Sequence, residues 1–464
     1  MTNRIFTAIS YSGFGTVVRQ AAQIAVTIIS ARNFGPTAMG ELAAILAVVS
    51  LIQLLGVTGL GASVVKAKKI SEILPTALTV TLMLAGVATL TLSFFWPFVS
   101  IFYNFKFATN IGIAITLYTA LKIFSTALES ILLNSRSFVR LGLIELVSHV
   151  IALAAFFAAL SLNKTFSSVF YFYVVQALSG AIILVWICRD KIRFSFDRHV
   201  LMEILRFSVP YSASQIGSTA AANADNLLIG KLQGNIILGF YSRAYQLLVA
   251  PAALVGQVVQ RIAFSYISHA ENPLQSSREF LVLATFPMAL VGFQSASVCW
   301  FYSEDLISWI YGPEWELTAE VLGILSLSMF FRLHYKLLES LLFAVGSATR
   351  VAKFTSMYAI IVIGITAYFG VYGTIYNIAY GIAISIFVYW LFLYIDVRRL
   401  MQWSREGEFI FITSIVLSVV FSFGLNYILS LARIHWAFSV ALSSIGALSL
   451  GLVYFVKKSF LKCN

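Results

Sequence analysis

In the stretch from Phe331 to Arg350, FRLHYKLLESLLFAVGSATR, three charged residues follow one another at spacings of four and three: Arg332, Lys336 and Glu339. A helix carries all three on one face. The surrounding residues are apolar enough to lie in a bilayer, where a centrally placed charge costs about 2.5 to 3.5 kcal/mol on insertion scales. Charges kept at that cost face a protein interior, a water-filled cavity or a transported solute. A near copy lies 210 positions earlier, LKIFSTALESILLNSRSFVR from Leu121 to Arg140, with Lys122, Glu129 and Arg140 opposite Arg332, Glu339 and Arg350. Arginine and lysine at such depth supply positive charge and hydrogen-bond donors in place of water, which is the chemistry an anionic group needs in order to cross a membrane.

Depth sorts the candidates. At about 1.5 Å per residue, Arg19, Lys122 and Arg332 fall near the centres of their predicted spans, and Lys336 lies one turn further toward the cytoplasm. These four are the candidate substrate-binding residues, unless each neutralises a neighbouring acid or snorkels to the interface. Glu129 and Glu339 belong near the cytoplasmic ends of their helices, within reach of loop arginines, as structural salt bridges or a cytoplasmic gate. Asp225 and Arg243 flank a short outer hairpin and can pair across it, as a clamp or as an outer gate. Glu145 and His149, one turn apart, could carry protons or make an interhelical hydrogen bond. Asn223 and Asn226 with Gln215, and Gln20 with Gln23, serve equally well as helix-packing contacts or as sugar contacts. No catalytic constellation, Walker lysine or metal-ligand spacing occurs, so neither catalytic residues nor a cofactor or metal are expected.

The class follows from composition. The chain has 464 residues, of which 60% are hydrophobic and 11% charged, against about 25% charged in soluble domains. Continuous apolar runs of about twenty residues suit helices crossing a core of about 30 Å rather than the alternating strands of a β-barrel. The expected fold is an all-α polytopic membrane protein of about fourteen spans. They cover approximately 10–31, 39–64, 74–97, 109–133, 141–162, 166–188, 207–229, 237–260, 280–302, 319–343, 354–372, 374–395, 408–431 and 436–456. The first span has no evident cleavage site and should be retained. Cys188, Cys299 and Cys463 are too far apart to suggest a disulfide framework. The longest outward loop, FYSEDLISWIYGPEWE, reads as an interfacial re-entry with Trp309 and Trp315 at headgroup depth.

With the N-terminus in the cytoplasm, alternate loops carry 21 Lys and Arg on the cytoplasmic side against 6 on the other, which predicts both termini inside. The excess of 31 Lys and Arg over 19 Asp and Glu thus reports orientation rather than nucleic-acid binding. The most basic loop separates two repeats. Arg32, Gly35 and Gly40 in RNFGPTAMG recur as Lys231, Gly234 and Gly239 in KLQGNIILG. Repeats running in the same direction after six helices are related by an axis along the membrane normal. The expected organisation is an N-lobe over 1–190, a cytoplasmic linker over 191–206, a C-lobe over 207–396, and two extra helices with a cytoplasmic tail over 397–464. Pro210, Pro251 and Pro287 could supply kinks for lobe rocking. No segment between spans is long enough for a separate catalytic domain.

The stretch ADNLLIGKLQGNIILGFYSRAYQLLVAP, Ala224 to Pro251, resembles the Wzx-type polysaccharide flippases of the multidrug/oligosaccharidyl-lipid/polysaccharide exporter superfamily, in particular the exopolysaccharide or colanic-acid exporter branch. NFGPTAMGELAAILAVVSLIQLLGVTGLGASVVK is similar to the same family's first hairpin. The resemblance implies two six-helix lobes in a V around a central cavity. It implies an undecaprenyl-pyrophosphate-linked oligosaccharide as cargo, moved from the cytoplasmic to the periplasmic leaflet of a bacterial inner membrane, with polymerase and export machinery as further partners. The competing readings are a multidrug/cation antiporter on the same fold, a peptidoglycan-precursor (lipid II) flippase, and a membrane glycan polymerase.

Overall fold

The computed structural model describes residues 2–447, apart from 68, 108–110, 136, 269–271, 346, 403–404 and 433–434. The side chains of 2–14, 54–59, 213–218 and 257–268, and of some single positions, are likewise outside the description. Cys463, the basic tail and the predicted 436–456 span beyond Ala447 therefore lie outside the described residues, as do the side chains of Arg4, Pro210, Gln215 and Arg261. The helices are α1 (Thr2–Lys66), α2 (Ile70–Phe102), α3 (Gly112–Asn134), α4 (Phe138–Asn163), α5 (Ser168–Cys188), α6 (Arg198–Leu232), α7 (Asn235–Ser268), α8 (Pro273–Ile310), α9 (Glu316–Ser326), α10 (Met329–Ala344), α11 (Ala348–Tyr372), α12 (Ile375–Leu400) and α13 (Arg405–Leu431). Among the described residues, nine helices are long and apolar enough to cross a membrane, or ten if the bent pair α9 and α10 forms one span. The chain is an all-α polytopic membrane protein. Leu90, Phe94, Phe98 and Ile101 stand out from α2 as an exposed apolar face, suited to lipid rather than to water.

Two compact units divide the chain, Met1–Gly239 and Phe240–Asn464. The sequence places its inter-lobe linker earlier, at 191–206; by packing, α6 and the first residues of α7 belong with the first unit because α6 lies along α1. That packing depends on the repeated glycines. The first two predicted spans both lie in α1, which breaks where Gly35 takes φ 72° and Pro36 follows. Its repeat counterpart Gly234 takes φ 88° between α6 and α7. Both occupy the left-handed region, where a β-carbon is unfavourable. A β-carbon on Gly40 would lie 1.8 Å from the Asn235 carbonyl oxygen, and one on Gly239 would lie 2.0 Å from that of Pro36. Asn235 is the repeat counterpart of Pro36, so the contact is reciprocal, as a two-fold relation between equivalent segments requires.

The same end of the first unit is tied by charge. Glu41 is fully buried and accepts backbone N–H bonds from Lys106 at 2.6 Å and Phe107 at 2.9 Å. Asn235 Nδ2 donates to the Tyr103 carbonyl at 2.9 Å, and Lys231 Nζ to that of Phe102 at 3.0 Å. Together these groups fix the chain between α2 and α3. Glu41→Gln is expected to cost about 2 kcal/mol, since an amide offers one acceptor oxygen and sets an N–H donor against the second backbone N–H. A lower unfolding temperature of the purified protein in detergent is the corresponding measurement. Further along, Val64, Leu74, Leu128, Ile131 and Leu184 form the apolar core joining α1, α2, α3 and α5.

In the second unit α8 packs against α9, α10 and α13, while α12 packs against α9, α10 and α11. The predicted 319–343 span is two helices, bent by 50°. Neither glycine nor proline marks the break. Instead Leu327 and Ser328 donate their N–H groups to carbonyls three residues back, and the Ser326 and Ser328 hydroxyls donate to Gly323 and Leu325 carbonyls, which competes with the α-helical ladder. Between Gly373 and Ile375 the chain turns sharply, and Thr374 with Asn377 forms a capping box that starts α12. The segment FYSEDLISWIYGPEWE differs from its interfacial reading. The helix α8 continues through it to Ile310, with a kink at Tyr302, and Trp315 is 1% exposed, packed against Phe240 and Tyr311. Trp309 does remain exposed.

Candidate functional site

The bend between α9 and α10 sets Arg332 in the first turn of α10. Broken helices at membrane depth commonly carry the binding residues of transporters, because the break frees polar groups inside the protein. Arg332 is 6% exposed. Its Nη2 donates to the Tyr245 hydroxyl at 2.9 Å, and the guanidinium carbon stands 4.8 Å from the centroid of that ring. Tyr245 in turn stacks on Tyr241, with centroids 5.6 Å apart. Among the described residues no carboxylate lies within 4.0 Å of Arg332, and its Nε has no hydrogen-bond partner. A buried guanidinium bonded to a neutral phenol rather than paired with an acid keeps most of its capacity to bind an anion.

One turn on, Lys336 is paired. Its Nζ lies 2.9 Å from Glu339 Oε2. The other carboxylate oxygen accepts the Tyr389 hydroxyl at 2.6 Å, and Tyr389 is bonded to Thr355 at 3.0 Å. With its proton donated to Glu339, the Tyr389 oxygen accepts from Thr355. Four side chains thus link α10, α12 and α11 in one line. Glu339 is held within α10's own neighbourhood rather than by a loop arginine.

Behind these residues, on the same helix, His334 is fully buried between α8 and α12. Trp390 Nε1 donates to its Nδ1 at 3.0 Å, which makes Nδ1 the acceptor. Its Nε2 then donates to Thr285 Oγ1 at 3.1 Å, and Thr285 donates onward to the Leu281 carbonyl at 2.7 Å. Every polar atom of the ring is satisfied in the neutral form, so His334 anchors the helix that carries Arg332 and Lys336.

The first unit holds a related cluster. Arg19 on α1 pairs with Glu145 on α4 at 3.2 Å, both side chains about one-third exposed. His149 donates from Nδ1 to the Glu145 backbone carbonyl at 2.7 Å, so the two side chains predicted as a proton pair address different partners. Lys122 and Glu129 on α3 share the field of that pair. Among the described residues neither Lys122 nor Glu129 has a hydrogen-bond or ion-pair partner for its side chain. Sequence position 355, which follows Glu145 by the 210-residue repeat offset, is a threonine. The acid that pairs with a cation therefore lies on α4 in the first unit and on α10 in the second. Glu145→Gln is expected to shift the unfolding temperature by less than about 2 °C, since partly exposed ion pairs contribute about 0.2 to 1 kcal/mol. Differential scanning fluorimetry of the purified variant measures this.

Asp225, in the first unit, and Arg243, in the second, are 1% and 5% exposed respectively. Asn223 donates to the Thr219 carbonyl of its own helix at 2.8 Å. Among the described residues no group of three or more His, Cys, Asp or Glu could hold a metal ion. The residues that complete the site around the predicted cations are Tyr245, Tyr389 and Thr355. Only Tyr245 carries a sequence signal, since it lies within the GFYSRAY stretch that marks the family resemblance.

Comparison with known proteins agrees with the fold. The structure is similar to that of the lipid II flippase MurJ in an inward closed conformation, with a TM-score of 0.78, 14% identity, and coverage of 96% of this chain and 98% of that one. At such identity the likeness concerns the fold. The teichuronic acid biosynthesis protein TuaB of Bacillus subtilis is 29% identical over 218 residues, 45% of this chain and 44% of that protein. The amylovoran biosynthesis protein AmsL of Erwinia amylovora is 25% identical over 134 residues, 29% of this chain and 34% of that protein. The chain thus matches less than half the length of either relative. Residues 29–320 match the pattern that defines the polysaccharide biosynthesis protein family, which is more than half of the chain and takes in both glycine hairpins and α3. This chain belongs to that family.

Proposed function

We propose that the protein is a flippase, which carries undecaprenyl-pyrophosphate-linked oligosaccharide from the cytoplasmic to the periplasmic leaflet of a bacterial inner membrane for surface polysaccharide synthesis. The observation that carries this reading is Arg332, a buried cation without an acidic partner among the described residues, in the first turn of a helix that follows a break. A diphosphate can take the guanidinium nitrogen of Arg332 that has no hydrogen-bond partner among the described residues. The biosynthetic names of the two relatives, teichuronic acid and amylovoran, support a polysaccharide cargo. In this reading the lobes expose their cationic clusters alternately to the two sides, both termini stay in the cytoplasm, and the protein hands its cargo to polymerase and export machinery. An inside-negative potential favours outward movement of negative charge by about 2.3 kcal/mol per charge per 100 mV, to the extent that protein charge and counter-ions stay behind.

Deleting the gene and analysing the lipid-linked saccharides by mass spectrometry tests the proposal. Accumulation of an undecaprenyl-pyrophosphate oligosaccharide, together with loss of surface polysaccharide, is the expected result. Accumulation of peptidoglycan precursor instead would assign the protein to lipid II transport. An unchanged saccharide pool with altered drug susceptibility would point to an antiporter.

A further inference from the structure

The anion-binding reading of Arg332 and Lys336 leaves one feature without a role: Lys336 is already occupied. We propose that Glu339 is a specificity-determining residue, which holds Lys336 in the absence of cargo so that the singly charged phosphodiester headgroups of bilayer lipids are excluded and a diphosphate ester displaces it. The inference rests on that reading and adds how the site selects among anions.

Geometry makes Glu339 a competitor rather than a surface ion pair. It sits one turn from Lys336 on the same helix, with Nζ and Oε2 2.9 Å apart. A tethered partner acts at millimolar or higher effective concentration. The carboxylate cannot simply rotate away, because its second oxygen takes the Tyr389 hydroxyl at 2.6 Å and Tyr389 is braced by Thr355. Glu339 is 14% exposed while Lys336 is 43% exposed, so an incoming anion reaches the ammonium without opening the helix packing. A monoanionic phosphodiester that displaces the carboxylate exchanges one charge for another and loses the tether, which is a net disadvantage. With Glu339 in place, such a lipid meets only Arg332, already bonded to Tyr245. A diphosphate carries more charge, spread over two phosphorus atoms. It can meet Arg332 and Lys336 together, since residues four apart on a helix lie about 6 Å from each other. The first repeat lacks this arrangement: Thr126 stands where the second has Lys336, and its hydroxyl donates to the Lys122 carbonyl. Selection therefore resides in the second unit.

The test uses the purified full chain in detergent, with geranylgeranyl diphosphate and dioleoylphosphatidylglycerol as probes, and native mass spectrometry or thermophoresis as the readout. Wild-type protein is expected to prefer the diphosphate by at least about tenfold. Glu339→Gln should gain phosphatidylglycerol binding by about tenfold and lose most of the discrimination, and Tyr389→Phe should move the same way by a smaller factor. Adding Lys336→Ala to Glu339→Gln should abolish the gain, which a merely structural role for Glu339 would not produce. Unchanged discrimination in both single variants, while Arg332→Ala still abolishes diphosphate binding, would overturn the inference and leave the anion site standing. Loss of affinity for both probes in Glu339→Gln, with normal gel filtration, would also overturn it. If Arg332→Ala leaves diphosphate binding unchanged as well, the anion-binding reading itself fails.

Discussion

Arg332→Ala is expected to lower polysaccharide export at least about a hundredfold at an unchanged level of protein in the membrane. The guanidinium can supply two charge-assisted hydrogen bonds to a diphosphate, each contributing about 1.5 to 3 kcal/mol, and every 1.4 kcal/mol is a factor of ten. The protein itself should tolerate the change. Arg332 has no acidic partner among the described residues, so its removal strands no buried carboxylate, and the main loss is the contact with Tyr245. Arg332→Lys should fall between wild type and alanine, because an ammonium keeps the charge and lacks the planar fork that can serve Tyr245 and the ligand at once. Tyr245→Phe keeps the ring beneath the guanidinium and should cost only severalfold. Surface polysaccharide measured in a deletion strain carrying each variant, with immunoblots of the membrane fraction, provides the comparison. Wild-type export by Arg332→Ala would remove this residue from the site.

Gly239→Ala and Gly40→Ala should each cost about 3 kcal/mol or more, at the upper end of what overpacking does. The reason is backbone, not side chain. The new methyl groups would stand 2.0 Å and 1.8 Å from carbonyl oxygens of the opposing segment, and a carbonyl cannot rotate aside as a side chain can. Relief requires α1 and the start of α7 to separate, which also disturbs Asn235 and the connection it holds at Tyr103. The measurable consequence is loss of the monodisperse peak in fluorescence-detected gel filtration at a temperature the wild type survives. Gly86 on α2 supplies the control. No atom lies within 4 Å of a β-carbon there, and alanine at an open helical position is neutral or stabilising by about 0.5 to 1 kcal/mol. A wild-type elution profile for both hairpin variants would mean that the close approach is not what joins these segments.

Several features could be read without coordinates because they depend on local rules. Long apolar runs dictate helices in a membrane whatever their neighbours, since the bilayer leaves the backbone no other partner. The glycine hairpins were legible as repeats, and residue type permits the positive φ that Gly35 and Gly234 adopt. Isolated charges in apolar runs marked Arg19, Lys122, Arg332 and Lys336 as the residues that need an explanation. Other features are non-local and leave little trace in the order of residues. The break at Leu327 and Ser328 comes from serine hydroxyls bonding backward within an otherwise helical run. Trp315 reads as interfacial by type and is placed in the core by α8 continuing through the loop.

What the sequence by itself determined is the class of protein, its repeats and which cations must be accounted for. Those answers follow from hydropathy and residue type, each fixed within one segment. What only the tertiary structure decided is which of those cations are already paired. Arg332, Lys336 and Arg19 look alike as charges in apolar helices, yet Glu145 reaches Arg19 from α4, Glu339 holds Lys336 with Tyr389 and Thr355 behind it, and Arg332, among the described residues, meets the hydroxyl and ring of Tyr245 and no acid. For Arg19 and Arg332 the deciding partners lie 126 and 87 positions away, and the acid that holds Lys336, though three positions on, is itself held by Tyr389, 50 positions away. A charge in low dielectric is governed by whatever lies within a few ångströms, and packing alone sets those distances.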